Sequence, residues 1–212
     1  MPRPPRLLLP KTYYHIITRG NNQNVVFKAD LDYHYYLKLL RRYKEELFFD
    51  LYHYCLMPSH VHLLIQTKDA GNFSLFMKKI NLAYFHYYHN KYGWVGHFWQ
   101  GRFKSQPIGK DDYFIQCGKY IELNPIRAGI VKKPEEYDFS SYNYYVLGKR
   151  NNLLTDDIFY EELGKSQKER QKNYQKMIVE EMILENKDRD VWGSVKQIYH
   201  ERKKISYNLK NR

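Results

Sequence analysis

Two apolar, aromatic-rich runs, residues 49–57 and 60–67, are separated only by Pro58 and Ser59. Each has the length and composition of a strand, and so short a link folds them back on one another as an antiparallel hairpin. The flanking segments extend the pattern. Residues 12–18 (Thr-Tyr-Tyr-His-Ile-Ile-Thr) read as an earlier strand, broken by the polar run from Arg19 to Asn24. Residues 30–47 open on Asp30, a helix-capping residue type, and set Leu31, Tyr35, Leu39 and Arg42 near one stripe, with Leu37, Leu40 and Leu47 in support. Residues 72–92 carry Phe73, Phe76, Met77, Ile80, Leu82, Ala83 and Tyr87 at helical spacing, ended by Gly93 and Gly96. A fourth strand is predicted over residues 98–108 in spite of Gly101. A further helix is predicted over residues 110–127 in spite of Pro125. The order β-α-β-β-α-β-α predicts an α+β fold: a ferredoxin-like βαββαβ core with a four-stranded antiparallel sheet, plus an additional helix.

The chain of 212 residues is 43% hydrophobic and 17% aromatic, with 22 tyrosines, too rich in core-forming side chains to be wholly disordered. No run approaches the eighteen apolar residues of a membrane-spanning helix. The basic N-terminal segment holds only three consecutive leucines, short of a secretory signal. Cys55 and Cys117 form no metal or disulfide pattern, so the expected location is the reducing cytoplasm. The net charge of +12 is uneven: residues 1–133 hold 20 basic and 9 acidic side chains, residues 134–212 hold 15 and 14. A concentrated positive field suits a polyphosphate partner, and exposed aromatic rings stack on unpaired bases. A solubilising surface would read the same way. Composition also changes near residue 134, which predicts a domain over 1–133. The expected extension over 134–212 is mostly helical, with a charged helix over about 166–186 and a frayed end.

His60-Val61-His62 lies inside an apolar strand, and alternation sends both imidazoles to one face. Such a pair can grip a divalent cation, or be two surface or half-buried histidines. Tyr120 and Asn124, four apart, share one face of the helix after the fourth strand. They read either as a phenol beside an amide metal ligand, or as a core tyrosine with a helix-capping asparagine.

Four blocks in order, Tyr14 to Asn21, Cys55 to Leu64, Gly96 to Ser105 and Tyr120 to Gly129, followed by Ser140-Ser141-Tyr142, resemble the HUH-superfamily single-tyrosine transposases. The REP-associated tyrosine transposases resemble the chain most. The resemblance covers residues 2–145. It implies that His60, His62 and Asn124 hold Mg2+ or Mn2+ and that Tyr120 is the nucleophile. It further implies that the enzyme cleaves and rejoins single-stranded DNA near hairpin or repeat elements through a 5′-phosphotyrosine, as a monomer or a homodimer. Three residues depart from the family pattern: Ser59 for a commoner Asn, Trp99 for Phe, and Glu122, which either joins the metal shell or, as favoured here, points away. Arg19, Arg102 and Lys104 are expected to contact phosphate or base, and Lys11, Lys119 and Arg127 to line the approach to the nucleophile. His15 is equally readable as structural or functional, and His53 is assigned no role. A non-catalytic nucleic-acid binder and a phosphodiesterase using water are the competing functions.

Overall fold

A computed structural model describes residues 9–109, 112–155 and 157–192, so the expected helix start at Lys110-Asp111 and the expected frayed end lie outside the described residues. Strands β1 (Tyr13–Arg19), β2 (Phe49–Met57), β3 (His60–Thr67) and β4 (Lys104–Ile108) form one sheet in the order β2-β3-β1-β4. Every neighbouring pair is antiparallel. With helices α1 (Asp30–Leu47) and α2 (Ala70–Tyr92) inserted between the strands, this is the predicted ferredoxin-like core.

Alternation along the strands gives the sheet two apolar faces of different character. On one, Tyr14, Ile16, Leu51, Tyr54, Leu56, Val61, Leu63 and Ile65 pack with the inward residues of α1 and α2, including Tyr36, Leu40, Phe76 and Tyr84. On the other, Tyr13, Tyr52, Cys55, Met57 and Leu64 meet Phe114, Cys117 and Ile121 of α3 (Asp112–Glu122). A bulge in β2 shifts its register between Leu51 and His53, which turns His53 as well as Tyr52 toward α3.

Two boundaries differ from expectation. β4 begins at Lys104, because residues 98–100 bond instead to the end of β1 and the loop after it: Asn21 N donates to Phe98 O at 2.8 Å and Gln100 N to Arg19 O at 2.8 Å. Gly101, at φ +67°, then turns the chain into β4. Trp99, the residue that stands for a commoner Phe, donates from Nε1 to Asn81 O of α2 at 3.0 Å. The helix expected to reach Arg127 is broken after Glu122, and α4 (Asn124–Arg127) follows as a separate turn. Pro125 lacks an N–H, and its ring conflicts with the carbonyl four residues earlier.

Past residue 133 the chain continues to pack on the core. Leu56 N donates to Phe139 O and Ser141 N to Tyr54 O, both at 2.9 Å, so residues 139–141 run along the outer edge of β2. Tyr137 and Tyr145 donate their hydroxyls to Leu56 O and Tyr52 O at 2.5 and 2.7 Å. Helices α5 (Tyr142–Leu147), α6 (Ile158–Glu162) and α7 (Gln167–Trp192) follow, and α7 buries Tyr174 and Ile178. No helix among the described residues is long and apolar enough to cross a membrane.

The fit of α3 against β2 is close enough to test. A β-carbon on Gly118 would stand 2.7 Å from Nε2 of His53. Gly118→Ala is therefore expected to destabilise the protein by about 1–3 kcal/mol in guanidinium unfolding. An open helical site would instead favour alanine, so unchanged or increased stability would show that α3 does not sit this tightly.

Candidate active site

The sheet face covered by α3 collects three imidazoles and a phenol. In the antiparallel register His62 stands opposite Ile17 and His60 opposite Arg19. His15 shares this face, and its Nε2 lies 2.9 Å from Nδ1 of His62. The His60 ring centre is 4.9 Å from that of His62, nearly perpendicular to it. Helix α3 brings Tyr120 over this group, its ring centre 5.8 Å from those of both His15 and His62. Most tyrosines with a described side chain are buried or half-buried, whereas Tyr120 is 43% exposed and open to a ligand from solvent.

Burial without a counter-charge pushes the pKa values of His15 and His60 down to about 4, and Arg19 adds to the effect at His60. His62, deeper still, is held well below its ordinary value by burial first, then by the neighbouring histidines and by Arg19 and Arg127. All three are neutral imidazoles at neutral pH. Nδ1 of His60 is paired with Ser59 Oγ at 3.0 Å and Nδ1 of His62 with His15. Nε2 of each has no hydrogen-bond partner among the described residues. Ser59, the first departure from the family pattern, thus touches the first histidine directly.

The turn after α3 grips the tyrosine from behind. Asn124 Nδ2 donates to Tyr120 O at 2.7 Å and to Ile121 O at 3.2 Å, satisfying carbonyls at the helix end. Its Oδ1, the atom with metal-ligand chemistry, has no partner among the described residues. Arg127 Nη1 also donates to Tyr120 O, at 2.7 Å, and its guanidinium lies 4.8 Å from the centre of the Tyr120 ring.

The predicted basic contacts separate. Exposed Arg19 and Lys104 flank Ile17 and His60 on the open side of the face, with exposed Arg102 in the turn leading to β4. Lys11 lies in the turn before β1, at the opposite end of that strand from Arg19. Lys119 is 7% exposed, and its Nζ pairs with Glu181 Oε2 of α7 at 2.9 Å, so it faces the C-terminal helix.

Glu122 points away from the imidazoles, as favoured from sequence. Its carboxylate takes hydrogen bonds from Ser141 Oγ at 2.6 Å and Tyr174 Oη at 2.8 Å, and pairs with His53 Nδ1 at 3.0 Å. Asp157 lies 3.7 Å from the other nitrogen of His53. Burial alone would lower the His53 pKa, but the Asp157 and Glu122 carboxylates outweigh it and push it up to about 9. Sequence reasoning missed this histidine because nothing in the residue pattern marks the bulge that turns it inward.

The family profile described as "Transposase IS200 like" matches residues 9–124, more than half of the chain. The chain belongs to the IS200-like transposases. A solved structure of a REP-associated tyrosine transposase bound to a REP hairpin is similar to this transposase at 19% identity and a TM-score of 0.59, covering 74% of this chain and 93% of that one. A proposed transposase from Deinococcus radiodurans R1 aligns at 18% identity and a TM-score of 0.40, covering 63% of this chain and 96% of that one. At 19% identity the first of these likenesses speaks to the fold alone. No curated protein matches the chain.

The two sets of histidines in this transposase act on stability with opposite sign. His15, His60 and His62 have folded pKa values below the unfolded value of 6.5, so the stability they contribute is present above pH 6.5 and is lost as pH falls toward 4. His53 has a folded value near 9, so its contribution is full below pH 6.5 and is lost as pH rises toward 9. Guanidinium midpoints measured from pH 4 to 9 are expected to peak near pH 6.5. His53→Gln is expected to flatten the alkaline limb, and a wild-type midpoint climbing steadily to pH 9 would contradict the assignment.

Proposed function

We propose that this transposase cleaves and rejoins single-stranded DNA beside hairpin or repeat elements, with Tyr120 as nucleophile. The observation that carries the reading is the accessible Tyr120 phenol held over neutral His15 and His62. The Tyr120 oxygen attacks a backbone phosphorus, a new O–P bond forms, and the bond to the 3′ oxygen breaks. The products are a 5′-phosphotyrosine and a free 3′-OH. A 3′-OH from a second strand reverses the exchange, so bond energy is conserved through breakage and joining.

The donor chemistry fits a divalent cation. Two uncharged imidazoles on one strand face have their Nδ1 atoms engaged and their Nε2 atoms free, and Asn124 Oδ1 follows one turn after the nucleophile. His60, His62 and Asn124 would hold Mg2+ or Mn2+, which when bound neutralises charge on the non-bridging phosphate oxygens. Arg127 and Asn124, both bonded to the Tyr120 carbonyl, fix the tyrosine on its helix. Arg19, Arg102 and Lys104 supply positive charge on the open side of the face, where a DNA backbone can lie. The fold shared with a REP-associated enzyme bound to a REP hairpin supports hairpin-bearing DNA as the substrate class.

Labelled single-stranded hairpin DNA incubated with the protein and Mn2+ is expected to give a covalent protein–DNA adduct on a denaturing gel. Tyr120→Phe is expected to abolish the adduct and change DNA affinity by less than about twofold, since one hydroxyl contact contributes little among many phosphate contacts. His60→Ala is expected to weaken Mn2+ binding and cleavage together. A normal adduct from Tyr120→Phe would move the nucleophile to another tyrosine, and released 5′-phosphate without adduct would indicate attack by water.

A further inference from the structure

Strand β1 contributes an imidazole that neither the histidine pair nor the nucleophile explains. Nε2 of His15 is 2.9 Å from Nδ1 of His62, the ring centres are 5.2 Å apart, and the ring planes differ by 21°. Nearly coplanar rings at that separation meet edge to edge, nitrogen to nitrogen. Both are buried, at 8% and 2% exposure, so water competes weakly for the contact. Such a bond needs a hydrogen from one ring and a lone pair from the other. If His15 donates, His62 keeps its own hydrogen on Nε2 and that atom cannot be a ligand. If His62 donates from Nδ1, its Nε2 presents a lone pair to the site. His60 has a different partner for the same nitrogen, its Nδ1 lying 3.0 Å from the Ser59 hydroxyl.

We infer that His15 is a positioning residue that accepts the Nδ1 hydrogen of His62, fixing both the angle of that ring and the availability of its Nε2. The inference rests on the metal-site reading of His60 and His62. His15 stands behind His62 and is not a third ligand, since no three His, Cys, Asp or Glu side chains converge on a cation position among the described residues. The His15 ring also meets Tyr120 edge-on at 5.8 Å, so one residue of β1 braces both the ligand strand and the nucleophile helix. Backing a ligand imidazole through its second nitrogen fixes the tautomer and raises ligand basicity.

Two measurements on the full chain test this. In metal-free wild-type protein, long-range 1H–15N correlation spectra are expected to show the His62 hydrogen on Nδ1. Mn2+ titration followed by the electron paramagnetic resonance of free ion is expected to show a loss of about 10–100-fold in affinity for His15→Leu. His15→Gln, whose carbonyl oxygen can accept the same hydrogen, is expected to bind Mn2+ close to wild type, a rescue that a purely packing role would not produce. A His62 hydrogen found on Nε2, or wild-type Mn2+ affinity in a folded His15→Leu protein, overturns the inference. If His15→Leu does not fold, the wild-type tautomer decides alone. Unchanged Mn2+ affinity in His62→Ala would sink the metal-site reading instead, and the tautomer would still decide what His15 does.

Discussion

The register of β1 against β3 is the constraint on which the site depends. Because side chains alternate with a period of two, a slip of one residue would carry Tyr14 and Ile16 out of the α1–α2 core and exchange His15 for an apolar neighbour. The apolar face enforces the register, since burying its residues is what makes the sheet stable. The opposite face, with its smaller apolar cluster under α3, takes the geometry that this register sets. Three neutral imidazoles with little charge compensation are a desolvation cost, borne by the packing on the other side of the same strands.

A second constraint acts on α3. Its last turn is tied to the C-terminal part of the chain by the buried Glu122 carboxylate, with Ser141, Tyr174 and His53 around it, and by Lys119 on Glu181. Removing one member of a buried charged set typically leaves several kcal/mol uncompensated, so the helix carrying Tyr120 is fixed by residues far along the chain. The excess positive charge, by contrast, belongs almost entirely to residues 1–133. The segment beyond, nearly neutral, acts on α3 through a few internal contacts.

Much of this was legible in the residues. The hairpin at Pro58-Ser59, the two amphipathic helices and the strand alternation of His60 and His62 depend on local periodicity, and they stand as expected. What escaped depends on tertiary geometry. The bulge that admits His53 leaves no compositional trace, and the ion pair of Lys119 is with a residue 62 positions later. The start of β4 was misjudged because residues 98–100 have strand-like side chains but spend their backbone bonds on the end of β1. Asn124 shows that two readings of one residue need not exclude each other: its nitrogen caps α3, and its oxygen is left over.

The two edges of the sheet have different fates. On the β2 side, residues 139–141 occupy the backbone groups to which another strand could be added. On the β4 side the edge is only five residues long, carries Lys104 and contains Pro107, which has no hydrogen to give. Neither rim therefore invites a foreign polypeptide to extend the sheet by strand addition. The β4 rim, which carries Lys104, thereby presents positive charge and a proline where a bare pairing edge would otherwise stand.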